Sequence, residues 1–340
     1  MIETPPDPST SVHDDESAVT NERQGLPAEC QDTSFRHSGW QPTRSRVLAV
    51  LEQHGADAKR ADRFRHCGAL AWVLRSPLPA ARLRVASSNC RDRFCLPCGT
   101  ARAGLIRSNL REALHDRGDR PHQYRFMTLT LDQRTDETLA SQLDRLLACF
   151  KRLRHRTAMI QGRKRIWWKR WVQGGAAFLE IKRTDAGRWH THLHAILESN
   201  WLPHAELREH WKHVTDGATI VDLRPITNLD HAVNETAKYA SKPMHPSVTH
   251  DAQHIHEAIE AMRSRRLCMT FGTWTRYRLT ARPELDGDWI CIDTLNNIIN
   301  RARRGDKTAA AMLVELKRGI VFERHVPSQP RSPPCPPRSP

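Results

Sequence analysis

Two apolar segments separated by a short polar turn form the clearest pattern in the chain. Residues 174–182 and 189–197 read as strands, and the Thr-Asp-Ala-Gly sequence at 184–187 has the composition of a tight turn. The pattern therefore predicts a β-hairpin. Folding about Ala186 places Glu180 opposite His192, whereas a shift of one residue would turn Glu180 to the other face.

The neighbouring segments predict one sheet connected by helices. Strands are expected at 124–131 and 218–224, and helices at 135–154, 203–213 and 229–241. The element order from 125 to 242 is therefore β-α-β-β-α-β-α. This order predicts an α+β fold with an antiparallel sheet, a split β-α-β core and helices packed on one side.

The remaining sequence divides into segments around this core. A helical pattern begins near Ser45, short strands are expected at 71–74 and 82–86, and a basic helix at 101–117. A strand-like stretch covers 267–279, and a final helix covers 308–317. The predicted domains are a disordered acidic tail (1–40), a small N-terminal cysteine-rich zinc module with the basic helix (41–122), the sheet domain (123–245), a C-terminal extension (246–326) and a Pro/Arg-rich tail (327–340).

The charge of the chain narrows the range of partners. The 340 residues carry a net charge of +15, with a pI near 9.9, which indicates a polyanion such as nucleic acid. The first 32 residues hold eight acidic groups against one arginine, so the positive charge is concentrated in the rest of the chain. We find no apolar run of about 18 residues and no secretory signal, so a cytoplasmic protein without a membrane partner is expected.

Three histidines alternate along the second strand of the predicted hairpin. His190, His192 and His194 share one face because alternate side chains of a strand point the same way. Two of these imidazoles with the carboxylate of Glu180 would bind Mg²⁺, Mn²⁺ or Fe²⁺ and leave positions open for a substrate. Glu198, which has the same parity, and His190 are alternative third ligands. A hydrogen-bonded histidine face without a metal is the other interpretation.

Four of the nine cysteines are close in sequence. Cys95 and Cys98 have the spacing of a zinc knuckle, Cys90 lies near them, and Cys67 lies across the predicted strand pair. Four thiolates would form a closed, structural zinc site, although the adjacent His66 is an alternative fourth ligand. A redox Cys-x-x-Cys pair is the competing interpretation, but it needs no third or fourth cysteine.

Cations and tryptophans alternate in the sequence Lys-Arg-Ile-Trp-Trp-Lys-Arg-Trp at 164–171. Indole rings such as that of Trp168 can stack on unpaired bases while Arg170 and its neighbours contact phosphates. The segment is therefore a candidate single-strand DNA surface. The alternative is that the tryptophans belong to the core.

The helix predicted at 229–241 carries a candidate nucleophile. Glu235, Tyr239 and Lys242 are spaced so that they share one helix face. A phenol beside a divalent cation and a lysine can attack a phosphate and form a covalent phosphotyrosine, and a nearby carboxylate can act as a base. The same spacing is also typical of a surface salt-bridge face.

Taken together, these motifs resemble those of the rolling-circle replication initiators of small bacterial plasmids, in the His-hydrophobe-His (HUH) endonuclease superfamily. The resemblance extends from about Cys67 to Trp274. Residues 126–130 (Phe-Met-Thr-Leu-Thr) are similar to the first motif of the family, and residues 190–194 to its metal-binding motif, with His192 and His194 as ligands. Glu235 and the segment from Lys238 and Tyr239 to Lys242 resemble the nucleophile motif. Cys67, Cys90, Cys95 and Cys98 match the cysteine arrangement of one branch.

The resemblance implies a metal-dependent nickase with one tyrosine nucleophile. Such an enzyme cuts one strand at a single-stranded or hairpin origin, remains on the 5′ end and leaves a 3′-OH for a polymerase. Tyr239 would be the nucleophile, Glu235 would activate the second attack, and Lys238 and Lys242 would contact DNA. The implied cofactors are Mg²⁺ or Mn²⁺ at the nuclease site and structural Zn²⁺, and the implied partners are DNA, a host helicase and a polymerase.

Other functions remain open at this stage. A single-strand transposase or a relaxase of the same superfamily would share the cut but not its purpose. A metal-dependent oxygenase would use His192, His194 and Glu198 but leaves Tyr239 and the basic charge unexplained. A non-catalytic, zinc-containing DNA-binding regulator is the alternative that is not an enzyme.

Overall fold

The computed structural model describes residues 37, 39–53, 58–76, 83–118, 120–241, 245–281 and 289–322, with the backbone alone at 237–241 and 317–322. Most of the acidic tail predicted at 1–40 and all of the tail predicted at 327–340 lie outside this part of the chain. The strands are β1 Ala71–Arg75, β2 Leu83–Ser87, β3 Tyr124–Thr130, β4 Thr157–Ile160, β5 Arg163–Ile166, β6 Gly174–Arg183, β7 Trp189–Glu198, β8 Val221–Pro225, β9 Cys268–Gly272 and β10 Ile290–Thr294. The helices are α1 Gln41–Gln53, α2 Ala58–Arg65, α3 Leu96–Asp116, α4 Leu139–His155, α5 Trp168–Trp171, α6 His204–Thr215, α7 Leu229–Ser241, α8 Pro246–Thr249, α9 Ala252–Ala261, α10 Leu295–Arg303 and α11 Lys307–Phe322.

A five-stranded sheet in the order β8-β3-β7-β6-β9 forms the centre of the fold, and every pair in it is antiparallel. Its hairpin, β6-β7, has the predicted register, with Glu180 paired to His192. The α+β class and the antiparallel sheet expected from the sequence are therefore confirmed. The outer strand β9 comes from the segment predicted as a C-terminal extension, so the sheet crosses the boundary predicted at 245.

Helices cover both faces of this sheet. One face packs against α4, α6 and α9 through a large apolar core that includes Leu129, Leu193 and Trp211. The other face packs against α3 and α7 through a second core that includes Phe178 and Ile196. The expectation that all the helices lie on one side is wrong, because alternate residues on both faces of these strands are apolar and each face must be covered.

A smaller sheet, β10-β1-β2, joins the two ends of the described chain. Strand β10 pairs with β1 in an antiparallel arrangement, and α10 and α11 pack on this sheet around Val73 and Ile298. The helices before it, α1 and α2, contribute Val47 and Phe64 to the same core as the large sheet. The cysteine-rich segment therefore shares its apolar core with the central sheet and does not stand apart from it.

Three predicted element boundaries differ from the structure. Helix α4 begins at Leu139, where the hydroxyl of Thr138 caps it by accepting a hydrogen bond from the backbone of Ser141, so Thr135 is not the cap. Helix α3 begins at Leu96 and includes the last cysteine of the cluster. Strand β9 ends at Gly272, whose φ of +63° is followed by turns. Within the described residues, no helix combines the length and apolar character needed to cross a bilayer.

Candidate functional site

The three histidines of β7 lie on the sheet face that α3 and α7 cover. The ring centroids of His190 and His192 are 4.2 Å apart, and those of His192 and His194 are 5.8 Å apart. Ile196, two residues further along β7, belongs to the apolar core under α7, which identifies the face. His194 is buried and the other two are half-buried. The site is therefore a row of imidazoles at the edge of a packed core.

Threonine hydroxyls from β3 fix the orientation of two of these rings. Thr128 is paired with His194 and Thr130 with His192 across the β3-β7 ladder. In each pair the threonine Oγ1 lies 3.0 Å from the histidine Nδ1. A partner at Nδ1 directs Nε2 of the same ring away from the threonine, which is the usual arrangement around a metal-binding histidine.

Glu180 completes the set of polar groups. Its Oε2 lies 3.2 Å from Nε2 of His194 and 3.0 Å from the ammonium group of Lys182. Two ligands on adjacent positions of an octahedral Mg²⁺ or Mn²⁺ site are separated by about 3 Å, given metal–ligand distances near 2.1 Å. The spacing of Glu180 and His194 therefore fits one divalent ion. In this structure the Lys182 ammonium contacts the same carboxylate oxygen of Glu180.

Burial and local charges adjust the protonation of these groups. Burial, with a smaller effect of neighbouring His190, lowers the pKa of His192 to about 4. Burial also opposes ionisation of Glu180, but hydrogen bonds from His194 and Lys182 bring its pKa down to about 2. At neutral pH the site therefore offers a neutral imidazole at His192 and a carboxylate at Glu180, which are the forms that bind a cation.

Glu198 lies at the other end of β7 and has a structural role. Its Oε1 accepts a hydrogen bond of 2.5 Å from Arg117, and its Oε2 accepts hydrogen bonds of 3.0 Å from Thr273 and from the Trp274 indole. Glu198 is 8% exposed and is separated from His194 by four residues of extended strand, about 13 Å. The alternative in which Glu198 replaces Glu180 as third ligand is therefore not supported.

Helix α7 runs across the sheet face that carries the histidines, from the Glu198 end of β7 to its Trp189 end. Just before it, the backbone N–H of Ile226 donates to the carbonyl of Tyr124, at the Glu198 end of β7. Just after it, the hydroxyl of Ser247 accepts from the backbone N–H of Arg183, at the Trp189 end. Between these points Ala232 and Val233 are buried against the sheet. The second half of α7 therefore approaches the end of the sheet that carries the histidines.

Two residues of the predicted nucleophile group, Lys238 and Tyr239, lie in this second half. Glu235 is half-buried in the middle of α7. Lys238 and Tyr239 belong to the helix, but their side chains lie outside the described part of the structure, and Lys242 lies outside it altogether. The roles predicted for these residues stay predictions.

The four predicted zinc ligands come together. Sγ of Cys67 is 3.6 Å from Sγ of Cys95 and of Cys98, and Sγ of Cys90 is 3.7 Å from that of Cys98. All four cysteines are free, and their sulfur atoms all lie within 4.8 Å of one another. A tetrahedral site with Zn–S bonds near 2.3 Å separates its sulfurs by about 3.8 Å, so the cluster could hold a metal ion such as zinc.

The environment of the cluster favours a thiolate at Cys67, whereas contacts with the other cysteines and burial raise the pKa values of Cys90 and Cys95. Hydrogen bonds from the thiols of Cys90, Cys95 and Cys98 hold the pKa of Cys67 far below its usual value. The backbone N–H of Cys90 also donates to the sulfur of Cys67 at 3.5 Å. The exposed His66 instead pairs with Asp62 on its own side of the turn, so Cys67 is the fourth member.

The basic, tryptophan-rich segment at 164–171 is divided between the core and the surface. Trp168 is 4% exposed and packs edge-on against Phe150, so its ring faces cannot stack on bases. The interpretation of Trp168 as a DNA-stacking residue is therefore wrong, because its indole is needed to cover the α4 side of the sheet. Arg170 is exposed, with its guanidinium 4.6 Å from the ring centroid of Trp171, and its role in DNA binding stays a prediction.

Two groups of functional side chains had no role assigned from the sequence. Thr128 and Thr130 lie in a recognised motif, but their contact with the histidines depends on β3 lying next to β7. Lys182 has the same parity as Glu180, and it pairs across the hairpin with His190. The alternation of side chains along β6 could have identified Lys182 as a neighbour of Glu180. The threonines could be identified only once β3 was known to lie next to β7.

Comparison with known proteins identifies a family. Residues 81–313, more than half of the chain, match the family model Rep_1, which is described as replication protein. No curated protein and no solved structure matches the chain.

Proposed function

Since the chain belongs to the Rep_1 family of replication proteins, we propose that it initiates plasmid replication by the rolling-circle route, cutting one DNA strand at the origin through a covalent 5′-phosphotyrosine. The observation that carries the proposal is the joint placement of His192, His194 and Glu180 on the sheet face crossed by α7. The strand order β8-β3-β7-β6, with α4 and α6 as its crossover helices, supports a split β-α-β core of the HUH type.

The metal-binding groups of the proposed site are His192, His194 and Glu180. Their donor types suit a hard divalent cation, because a carboxylate is combined with imidazoles whose Nδ1 atoms already have partners, and Glu180 and His194 are the two at ligand spacing. When bound, Mg²⁺ or Mn²⁺ would supply charge stabilisation at the scissile phosphate. The protein would supply the orientation of that phosphate against the nucleophile.

In the first step the phenol oxygen of Tyr239 attacks the scissile phosphorus. The phenol gives up its proton to solvent, a P–O bond to the tyrosine forms, the P–O3′ bond breaks, and the departing 3′ oxygen takes up a proton to become the 3′-OH primer. Helical spacing supports this assignment, because position 239 comes seven residues, close to two turns, after the sheet-facing Ala232. Lys238 and Lys242 would contact the DNA backbone on either side.

In the closing step a newly made 3′-OH attacks the phosphotyrosine. A new P–O3′ bond forms and the P–O bond to the tyrosine breaks. Glu235 takes the proton from the attacking hydroxyl, and the released phenolate takes up a proton. Glu235 precedes Tyr239 by four residues on α7, one turn away. Glu235→Ala is expected to leave the first cut nearly intact and to stall release of the product, whereas equal loss of both steps would contradict this role.

The test uses the full chain, Mn²⁺ and a supercoiled plasmid that carries the DNA flanking the coding sequence. We expect open-circular product and a protein–DNA adduct that survives denaturation. Tyr239→Phe should abolish both products, and the matched variant Tyr277→Phe should retain them. Binding without cutting by the unsubstituted protein would favour a DNA-binding regulator, and an adduct formed by Tyr239→Phe would reject Tyr239 as nucleophile.

The same assay separates replication from the related activities. A replication initiator leaves a 3′-OH that a polymerase extends on the circular template, with a host helicase unwinding the duplex ahead of it. A transposase or relaxase would instead join or transfer the cut strand. Extension of the nicked plasmid by a strand-displacing polymerase, with the protein still attached to the 5′ end, is the expected result.

A further inference from the structure

The segment between Asp144 and Glu180 has an unusual charge. It contains ten arginine and lysine residues and no aspartate or glutamate. Several of these cations have structural partners: Arg145 pairs with Glu137, and Arg152 donates to the carbonyl of Val214. Whether the segment can bind an anionic ligand depends on whether its remaining arginine and lysine side chains have partners within the protein.

Five of the exposed cations in this segment lie between positions 163 and 170. Within the described residues, their side chains form no hydrogen bond or ion pair, apart from the stacking of Arg170 on Trp171. They are Arg163, Lys164, Arg165, Lys169 and Arg170. Exposed cations with no partner within the protein are free to bind the phosphates of a nucleic acid.

Three of these cations lie on a projecting two-stranded ribbon. Among the strands that the structure describes, β4 and β5 pair only with each other, and Gln161 and Gly162 connect them with φ values of +50° and +71°, as a tight two-residue hairpin requires. We call residues 157–166 the basic ribbon. Its two strands of four residues are each about 13 Å long, and a two-stranded ribbon fits the major groove of B-DNA.

The faces of the basic ribbon are suited to a groove. Cross-strand pairing puts Arg163 and Arg165 on one face and Lys164 with Met159 on the other. Met159 is 70% exposed, so an apolar group lies beside the cations near the tip. In a duplex groove, cations contact the phosphates and an apolar group can contact the base edges, so this combination of side chains suits duplex DNA.

The basic ribbon is remote from the histidines. The strand after it enters the sheet at the Glu198 end of β7, where the backbone N–H of Gln173 donates to the carbonyl of Glu198. Its base packs with the core on the sheet face opposite the histidines, through Trp167 and Trp168. Six residues of strand, about 20 Å, separate Glu198 from His192, so one ligand atom cannot contact both places.

We propose that the basic ribbon, with Lys169 and Arg170, binds duplex DNA beside the cleavage site and anchors the protein to origin DNA while the nuclease face acts on the unpaired strand. The proposal rests on the proposed function for the identity of the DNA. The contact itself rests on the exposed cations and the shape of the ribbon. Trp167 and Trp168 are buried, and the half-buried Trp171 has the Arg170 guanidinium 4.6 Å from its ring centroid, which favours a duplex over a single strand.

The experiment compares the unsubstituted chain with the triple variant Arg163→Ala, Lys164→Ala and Arg165→Ala. Its control is the variant Arg303→Ala, Arg304→Ala and Lys307→Ala, which removes three exposed cations elsewhere. Fluorescence anisotropy would measure binding to a 30-base-pair DNA duplex and to a 30-nucleotide single strand at several salt concentrations.

We expect the ribbon variant to bind the duplex roughly 10- to 100-fold more weakly and to lower the salt slope by about 3. Its single-strand affinity and its cleavage of a single-stranded oligonucleotide should match those of the unsubstituted chain. Unchanged duplex binding, an equal loss for single strands, or an equal loss in the control would each overturn the proposal. If the unsubstituted protein does not cut DNA, the proposed function fails, while the duplex measurement still decides the role of the ribbon.

Discussion

The hydroxyl oxygen of Thr130 lies 3.0 Å from Nδ1 of His192, across the β3-β7 ladder. A hydroxyl can donate or accept a hydrogen bond, so threonine suits either tautomer of the ring. When Nε2 binds a cation, Nδ1 carries the proton and donates to Thr130. Thr130 on β3 therefore orients the ring of His192 on β7.

Thr130→Val should weaken metal binding, because valine keeps the shape of threonine but cannot accept the Nδ1 proton of His192. We expect roughly 10- to 100-fold lower affinity for Mn²⁺, measured by calorimetry on the zinc-loaded protein. Thr130→Ser, which retains a hydroxyl, is the control and should bind nearly as well as the unsubstituted chain. Equal affinities for the valine and serine variants would mean that this contact does not orient the ring.

Stability should depend on pH through His192. Its pKa in the folded protein is about 4, whereas an unfolded histidine titrates near 6.5. Between these values the unfolded chain binds a proton that the folded chain does not, so the free energy of unfolding falls as the pH decreases from about 6.5 to 4. The contribution of this residue to the fall is at most about 3 kcal/mol.

Urea unfolding of the unsubstituted chain and of His192→Asn, at intervals from pH 7.5 to 4.5 and without added Mg²⁺ or Mn²⁺, isolates that contribution. The difference in stability between the two proteins should shift in favour of the variant as the pH falls. A difference that stays constant over this range would show that the ring is not kept neutral by burial.

The site was partly predictable from sequence because it depends on local pattern. The turn at 184–187 fixes the β6-β7 register, so the pairing of Glu180 with His192 followed from spacing alone. By contrast, Glu198 has the parity of a ligand, but its carboxylate accepts hydrogen bonds from Arg117 and Trp274. These two residues are 81 and 76 positions away in the sequence. Parity along a strand identifies a face but not the partners that other elements bring to it.

The fold was predictable to the same extent. Alternation and turn residues located the central strands, but the pairing of β1 with β10 joins segments more than 200 residues apart and has no local signal. The same limit applies to Trp168, because interleaved cations and tryptophans are consistent with both a DNA surface and an edge of the core. Contact with Phe150 places it in the core.

Lys182→Met should strengthen metal binding. The Lys182 ammonium lies 3.0 Å from the Glu180 carboxylate that the cation would use, so the two positive groups compete for it. Because Lys182 is partly exposed, we expect a modest gain in Mn²⁺ affinity, about 3- to 10-fold, by calorimetry. Lys182→Arg keeps the charge and should show no gain. Weaker binding by Lys182→Met would identify the lysine as a support for the site, not as a competitor.

Glu198 and Arg117 should affect stability and not metal binding. Arg117→Met leaves the buried carboxylate of Glu198 without its charged partner, and we expect a loss of about 3 kcal/mol in the free energy of unfolding. Glu198→Gln retains hydrogen-bonding capacity and should be less destabilising. Both variants should keep the Mn²⁺ affinity of the folded protein, and a loss of affinity in Glu198→Gln would restore Glu198 as a candidate ligand.

Cys98→Ser should remove zinc and destabilise the support of the histidine face. Cys98 lies in the first turn of α3, and the same helix contributes Ile106 and Leu110 to the core beneath α7. Loss of a thiolate ligand therefore loosens the start of a helix on which the proposed nuclease site depends. We expect metal content by mass spectrometry to fall from one zinc per chain to nearly none, with a lower thermal midpoint. Cys291→Ser, outside the cluster, is the control, and full zinc content in Cys98→Ser would mean that the four sulfurs are not the ligands.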